Sequence, residues 1–304
     1  MDGIFNIHKS SGMTSFAVVA KTRRITGEKH IGHAGTLDPL ASGVLPVCLG
    51  QATRITEYLF NETKTYRAEL KLGVTTDTFD CEGKILTECD ASHITRQKVE
   101  MVLADFRGAI SQVPPMFSAL KHQGRPLYQF ARAGLEIERT ARPAQIYRLE
   151  IFQWENPVFS LDIECSKGTY IRSLAQDIGR SLGCGAIMQN LVRLRVGNFT
   201  LEQSLTLEQL EKYFAEGQGE KHLHPVDTAL SSFPAVIVNH EQQCSLCHGQ
   251  PLPAQTTSWP DPGGVVRAYN QGGDFVGMIK FQADLQQWRP AKIFLKNCNQ
   301  HSQD

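Results

Sequence analysis

GHAGTLDPLASGVLPVCLG, Gly32 to Gly50, sets a glycine-rich polar run holding one acid, Asp38, directly before a strongly apolar run. Pro39 confines Asp38 to extended backbone, and Leu37, Leu40, Val44 and Leu45 give it an apolar rim. GVLPVCLG is too short and too β-branched for a helix; it reads as a buried strand in which Pro46 implies an edge or a bulge. Asp38 then has two readings. It is a turn residue whose carboxylate caps backbone N–H groups, or it is a partly desolvated carboxylate that does chemistry. The second reading requires a cation, because breaking a buried charge pair costs about 3–5 kcal/mol. Arg172 and Arg193 are the candidates.

On the N-terminal side, TSFAVVAKTRRI offers Thr14 or Ser15 as a helix cap and ends in cations, which suit a helix C-terminus. On the other side, KTYRAELKLG alternates strictly. Tyr66, Ala68, Leu70 and Leu72 share one face and Arg67, Glu69 and Lys71 the other, a half-buried strand. Thr95 opens a helical pattern with Val99, Val102, Leu103 and Phe106 on one face, closed by Gly108. A basic and aromatic segment with a double proline follows, in which Pro126 starts and Gly134 ends a short helix. Two strand-like runs, AQIYRLEIFQW and VFSLDIECS, lead to a helix that Thr169 can cap, with Ile171, Leu174, Ala175 and Ile178 inward and Arg172 at its start. Polar residues around 215–232 suggest a domain boundary, after which short strands alternate with Pro/Gly-rich loops, the pattern of a small β-rich domain.

The chain has 304 residues, 41% hydrophobic and 20% charged, enough for a sizeable core and for one large domain plus a smaller one. Its 31 basic and 31 acidic residues cancel, so bulk charge gives no support to nucleic-acid binding. The distribution does. Lys9, Lys21, Arg23, Arg24 and Lys29 face only Glu28 within 9–30, and Lys121, Arg125, Arg132, Arg139, Arg142 and Arg148 face Glu136 and Glu138 within 118–148. Such runs are solvated faces or a footprint for phosphates. The N-terminus lacks a basic stretch followed by an apolar one, and no apolar run approaches the roughly 18 residues of a membrane span, so a cytoplasmic protein without membrane contact is expected. The eight cysteines are then expected to be mostly reduced. CSLCH, Cys244 to His248, matches a haem-attachment pattern, but a metal site would need Cys298 and His301 as further ligands; two helix-surface cysteines are the expectation, with no metal and no cofactor.

GHAGTLDPLASGVLPVCLGQATR resembles the nucleophile motif of the TruB family of tRNA pseudouridine synthases. KTYRAELKLGVTTDTFDCEG, VPPMFSALKHQGRPLYQFARAG, CSKGTYIRSLAQDIG and NLVRLRVGNF fit the same family in order, and together the five segments span most of residues 1–235. The resemblance implies an α+β fold: a catalytic domain, 1–232, with a mixed, largely antiparallel sheet, flanking helices and an RNA-contacting insertion at about 114–142, then a small β-rich PUA-like domain, 233–304. It puts Asp38 on the catalytic aspartate, Tyr66 on the active-site tyrosine and Arg172 on the arginine paired with the aspartate. His33 and Tyr170 fall on substrate-contacting positions, and Leu191 on the apolar pocket wall. HKSSG departs from the usual Lys-Pro pair at Ser10, and Val192 stands where an arginine is common.

The implied activity is isomerisation of uridine 55 in the TΨC loop of tRNA, acting on a flipped-out nucleotide, with the tRNA T arm as partner, no protein partner and a monomeric enzyme. Lys121, Arg125 and Arg132 are the expected phosphate contacts on an element that closes over RNA. Two rival functions share parts of this sequence: a non-catalytic RNA-binding or tRNA-folding module, which needs only the basic runs, and a nucleoside hydrolase using Asp38 on a free glycosidic bond.

Overall fold

The computed structural model describes residues 1–256, 259 and 264–295. Its centre is a sheet whose strands run, edge to edge, Gly3–Lys9, Ser42–Leu49, Ala186–Val196, Lys64–Leu72, Val158–Cys165, Arg142–Glu155 and Gly108–Gln112. Every neighbouring pair is antiparallel except Ser42–Leu49 with Ala186–Val196. The fold is the expected α+β one.

The strict alternation of Lys64–Leu72 decides which way the sheet faces. Tyr66, Ala68, Leu70 and Leu72 are buried in one core beneath the helices Arg96–Ala104 and Ile171–Leu182, which contribute Val99, Leu103, Ile171, Leu174, Ala175 and Ile178. The opposite face carries Arg67, whose guanidinium grips Asp162 on the next strand through two hydrogen bonds of 2.8 and 2.9 Å. Helices Ser15–Thr26 and Leu207–Ala215 cover Phe5, Ile7, Leu45, Val47 and Leu49 on the first two strands.

Pro46 lies inside the sheet, not at an edge. The far neighbour of Ser42–Leu49 changes along its length, from Val192 and Arg193 beside Ser42 and Gly43 to Ile31–His33 beside Val47–Leu49. The Pro46 carbonyl accepts from the Ala34 N–H, so its nitrogen faces that same side, where the ladder is interrupted and no donor is required. Two capping expectations also resolve. Thr14 is the cap, accepting from the Ala17 N–H, while Ser15 does something else, described below. Thr169 does not cap the following helix: Tyr170 occupies that position and the Thr169 hydroxyl donates to the Ser166 carbonyl instead.

The second sheet runs Ala235–Val238, Val265–Asn270, Phe275–Gln282, Gln287–Ile293 and Leu252–Pro253, with the first pair parallel. It has its own core around Trp288, Ile279 and Val266, and it is joined to the larger sheet: Met278 enters a cluster with Ile4, Val44 and Ile55, and Arg54 donates to the Ile293 carbonyl at 2.7 Å.

Candidate active site

The Asp38 loop is held from below by side chains that bind its backbone. The Ser15 hydroxyl accepts from the Leu37 N–H at 2.9 Å and donates to the Leu37 carbonyl at 3.1 Å, so one side chain fixes both polar groups of the preceding residue. Lys9, fully buried, donates to the carbonyls of Ser10, Met13 and Pro39, and Ser11 donates to the Leu40 carbonyl. Burial pushes the Lys9 pKa down to about 8 against the opposing pull of the Asp38 charge. Its place in the basic run was therefore misleading: Lys9 is a strut, and no phosphate can reach it.

Arg193 braces the loop from the other side, donating to the carbonyls of Gly35 and Val44. It sits in register with Tyr66 on the adjoining strand and with Gly43 on the other. The approach at Gly43 is close: a Cβ there would lie 2.2 Å from the Arg193 carbonyl oxygen, and its φ of +106° is glycine territory.

Above this floor, Asp38 meets Arg172. The Arg172 Nε lies 2.8 Å from Asp38 Oδ2, with the guanidinium side chain 5% and the carboxylate 37% exposed, so a buried cation holds an acid at an open mouth. The Nε–H is poorly aligned for a hydrogen bond, and the contact is chiefly coulombic. Of the two arginines named from sequence, Arg172 makes the pair and Arg193 supports the backbone. Arg172 also donates to the Thr78 and Phe117 carbonyls and lies 3.5 Å from buried Asp80. Sequence reading passed over Asp80, although TTDTFDCEG lay within a matched segment; its signal was an acid in a tight turn, where Thr78 donates to its carboxylate and the Glu82 N–H does the same. One guanidinium thus serves two carboxylates and two carbonyls, and the second carboxylate balances the charge when the first is engaged.

The other expected residues divide. Leu191, Leu37 and Tyr66 are buried in the same cluster, with Leu40 packed against it. The Tyr66 hydroxyl meets the Arg193 guanidinium; burial raises its pKa despite that cation, so it stays protonated at neutral pH. Tyr170 stands at the start of the Arg172 helix, fixed because its N–H donates to Gln112 Oε1 and its carbonyl accepts from Gln112 Nε2. Burial raises its pKa too, and the Asp38 charge acts in the same direction. His33 ends its strand opposite Val47 and has a buried Nδ1 with no partner. Burial, and then the Arg193 charge, lower its pKa and keep it neutral. Lys121, Arg125 and Arg132 are exposed, away from this cluster, on the segment whose base the Arg172–Phe117 bond secures.

Among the described residues, no group of three or more His, Cys, Asp or Glu side chains could hold a metal, and no helix is long and apolar enough to cross a membrane. Cys298 and His301 lie outside the described residues. His248 turns back onto its own helix, its Nδ1 2.8 Å from the Cys244 carbonyl, and Cys247 contacts the Leu295 carbonyl.

Residues 23–171 match the TruB family pseudouridylate synthase N-terminal domain, and residues 172–231 match the tRNA pseudouridylate synthase B C-terminal domain. A tRNA pseudouridine synthase B of Dehalococcoides mccartyi is 46% identical over 97% of both chains, and one of Clostridium perfringens is 50% identical over 79% of this chain and 81% of its own. Among solved structures, the chain is similar to a protein of an H/ACA RNP bound to a substrate RNA, with a TM-score of 0.75 at 26% identity, covering 97% of this chain and 86% of that one. A Cbf5–Nop10–Gar1 complex gives a TM-score of 0.74 at 28% identity, covering 97% of this chain and 84% of the other. A carboxylate held at an open mouth by a buried guanidinium, in a chain matched along nearly its whole length, leaves one conclusion: this protein belongs to the TruB family of pseudouridylate synthases.

Proposed function

We propose that the protein converts uridine 55 in the T loop of tRNA to pseudouridine, with Asp38 as the reacting carboxylate. The observation that carries this reading is the Arg172–Asp38 pair at 2.8 Å, in which a buried guanidinium holds a carboxylate that is itself 37% exposed and so within reach of a substrate. The relatives' names supply the tRNA. In the reaction the N1–C1′ bond breaks, a C5–C1′ bond forms, C5 loses its proton and N1 gains one; nothing is oxidised, and the product is an isomer of the substrate.

Each residue then has a task. Asp38 reacts with the nucleotide, its Oδ2 steadied by Arg172. Tyr66 stacks on the uracil, and its raised pKa makes it a hydroxyl donor before it is an acceptor for the C5 proton. Leu191 walls the pocket so that water does not capture the intermediate between breaking of the N1–C1′ bond and formation of the C5–C1′ bond. Tyr170 and His33 contact the substrate, the neutral imidazole helping to fill the space vacated by the flipped nucleotide. Extruding a stacked base costs a few kcal/mol, and the exposed cations Lys121, Arg125 and Arg132 offset this through phosphates. The catalytic domain ends near residue 232, and the smaller sheet beyond it contacts tRNA away from the target base.

Tritium release from C5-labelled uridine in a tRNA transcript, with the target uridine replaced as control, tests the reading. Release is expected from the parent protein and lost by a thousandfold or more, on the order seen for other essential nucleophiles, in Asp38→Asn, which still binds tRNA. No release by the parent would leave a binding module, and free uracil among the products a hydrolase.

A further inference from the structure

The outer face of the Ser15–Thr26 helix has no role in the site as described. Its inner residues, Ser15, Val18, Val19 and Thr22, are buried. On the opposite side, Phe16 is 74% exposed, the most exposed large apolar side chain among the described residues, and Ala20 and Arg23 follow it at positions four and seven residues on, one stripe of the helix. An aromatic ring held in water needs a reason, and position supplies one. Its neighbour Ser15 is bonded to both backbone groups of Leu37, so Phe16 is anchored one residue away from the segment that carries Asp38. Ser10 and Ser11, just before this helix, and Thr36 and Pro39, beside Asp38, are exposed as well, and the Ser11 hydroxyl donates to the Leu40 carbonyl of the Asp38 loop.

The charges on this side are segregated. Lys21 takes up Glu208 and Glu211 at 3.1 and 3.8 Å, and Glu28 is engaged by the N-terminal amine and by His30. Arg23 and Lys29, both exposed, have no carboxylate within ion-pair distance among the described residues. With a rise of about 1.5 Å per residue, Arg23 lies about 10 Å along the helix from Phe16, a spacing that suits a base at one end and a phosphate of the same strand at the other.

We propose that this face is a second RNA-binding surface: Phe16 stacks on a base or ribose flanking the nucleotide delivered to Asp38, and Arg23, with Lys29 beyond it, takes the phosphates of the strand leading away. The inference rests on the reading that the substrate is RNA, and it adds a grip on the side of the mouth nearest the nucleophile loop. A protein partner would also cover a phenylalanine, but Arg23 on the same stripe and Lys29 just past the helix, neither paired with a carboxylate among the described residues, favour a polyanion.

The test is equilibrium binding of the tRNA transcript across a salt series by the full-length protein and its Phe16→Ala, Phe16→Trp and Arg23→Ala variants. Phe16→Ala is expected to weaken binding about tenfold, in the range of one lost base stack, and Phe16→Trp to restore it. Arg23→Ala should lower the slope of log affinity against log salt by about one. Both side chains are exposed, so unchanged thermal melting accompanies these effects. Parental affinity and salt slope in both alanine variants would overturn the proposal and leave Phe16 for a protein partner. Tritium release is measured alongside: its absence in the parent defeats the catalytic reading, whereas the binding results decide this surface either way.

Discussion

The Asp38 loop and the segment from Pro114 to Arg142 approach the same mouth but are built on opposite terms. The loop contains a positive-φ glycine and an acid before proline, yet Lys9, Ser11, Ser15 and Arg193 tie down its backbone at Gly35, Leu37, Pro39 and Leu40. The segment is fastened at its ends, by Arg172 at the Phe117 carbonyl and Arg139 at the Pro114 carbonyl, and between them carries only short elements, Lys121–His122, Arg125–Pro126 and Leu127–Arg132. None of its residues between 116 and 139 joins a core cluster. The difference teaches a division of labour: Asp38 sits on a loop whose backbone is fixed by side-chain donors, while Lys121, Arg125 and Arg132 stand exposed on a segment without core contacts. Under the proposed function the first suits a carboxylate that must be placed closely and the second a grip that needs reach.

Replacing Arg172 should break that division most severely, since it serves both regions. Arg172→Met leaves Asp80 buried without a cation and two carbonyls without donors; a loss of about 3–5 kcal/mol in urea unfolding is expected, with tritium release abolished. Retention of parental stability would mean that Asp80 finds another partner. A triple Lys121→Ala, Arg125→Ala, Arg132→Ala variant acts on the segment alone. It should melt with the parent while its salt slope for tRNA binding falls by about 2–3, and an unchanged slope would remove these cations from the interface. The smallest effect concerns the loop's foundation. With its folded pKa near 8 and an unfolded value of 10.5, Lys9 is less protonated in the folded state between those limits, so its contribution makes stability rise with pH from about 8 to about 10.5 and leaves it level below. Unfolding curves at pH 7.5 and 9.5 should show less of that rise in Lys9→Met than in the parent; equal rises would show that Lys9 titrates normally.

What could be read from the chain followed how local the physics was. The period-two pattern from Tyr66 to Leu72 put Tyr66, Ala68, Leu70 and Leu72 on the buried face and Arg67, Glu69 and Lys71 on the other, as observed, and Ile171, Leu174, Ala175 and Ile178 went inward as their spacing required. Thr169 failed as a cap because its hydroxyl found the nearer Ser166 carbonyl, a competition inside one turn that composition does not rank. Pro46 was taken for the mark of an edge or a bulge because the switch of neighbouring strand beside it is a property of the assembled sheet. Lys9 counted as a surface charge until tertiary structure closed over it. Asp38 could be named from its motif; the residues alone offered both Arg172 and Arg193 as partners, the resemblance pointed to Arg172, and three-dimensional packing puts Arg172 beside the carboxylate and Arg193 on the backbone. Asp80 was missed for the same reason: its importance lies in what it faces.

The Arg172 guanidinium also sets an order in time. It touches Asp38, the turn from Thr78 to Asp80, and Phe117, three stretches brought together only once the strands Lys64–Leu72, Val158–Cys165 and Ala186–Val196 have paired. Such contacts between distant parts of a chain form late, because loop-closure entropy must be met first. A growing chain that has emerged through residue 150 already carries the Asp38 loop but not its cation. The site is therefore completed late: the carboxylate acquires its partner only as the central sheet, which needs Ala186–Val196 between its other strands, is completed.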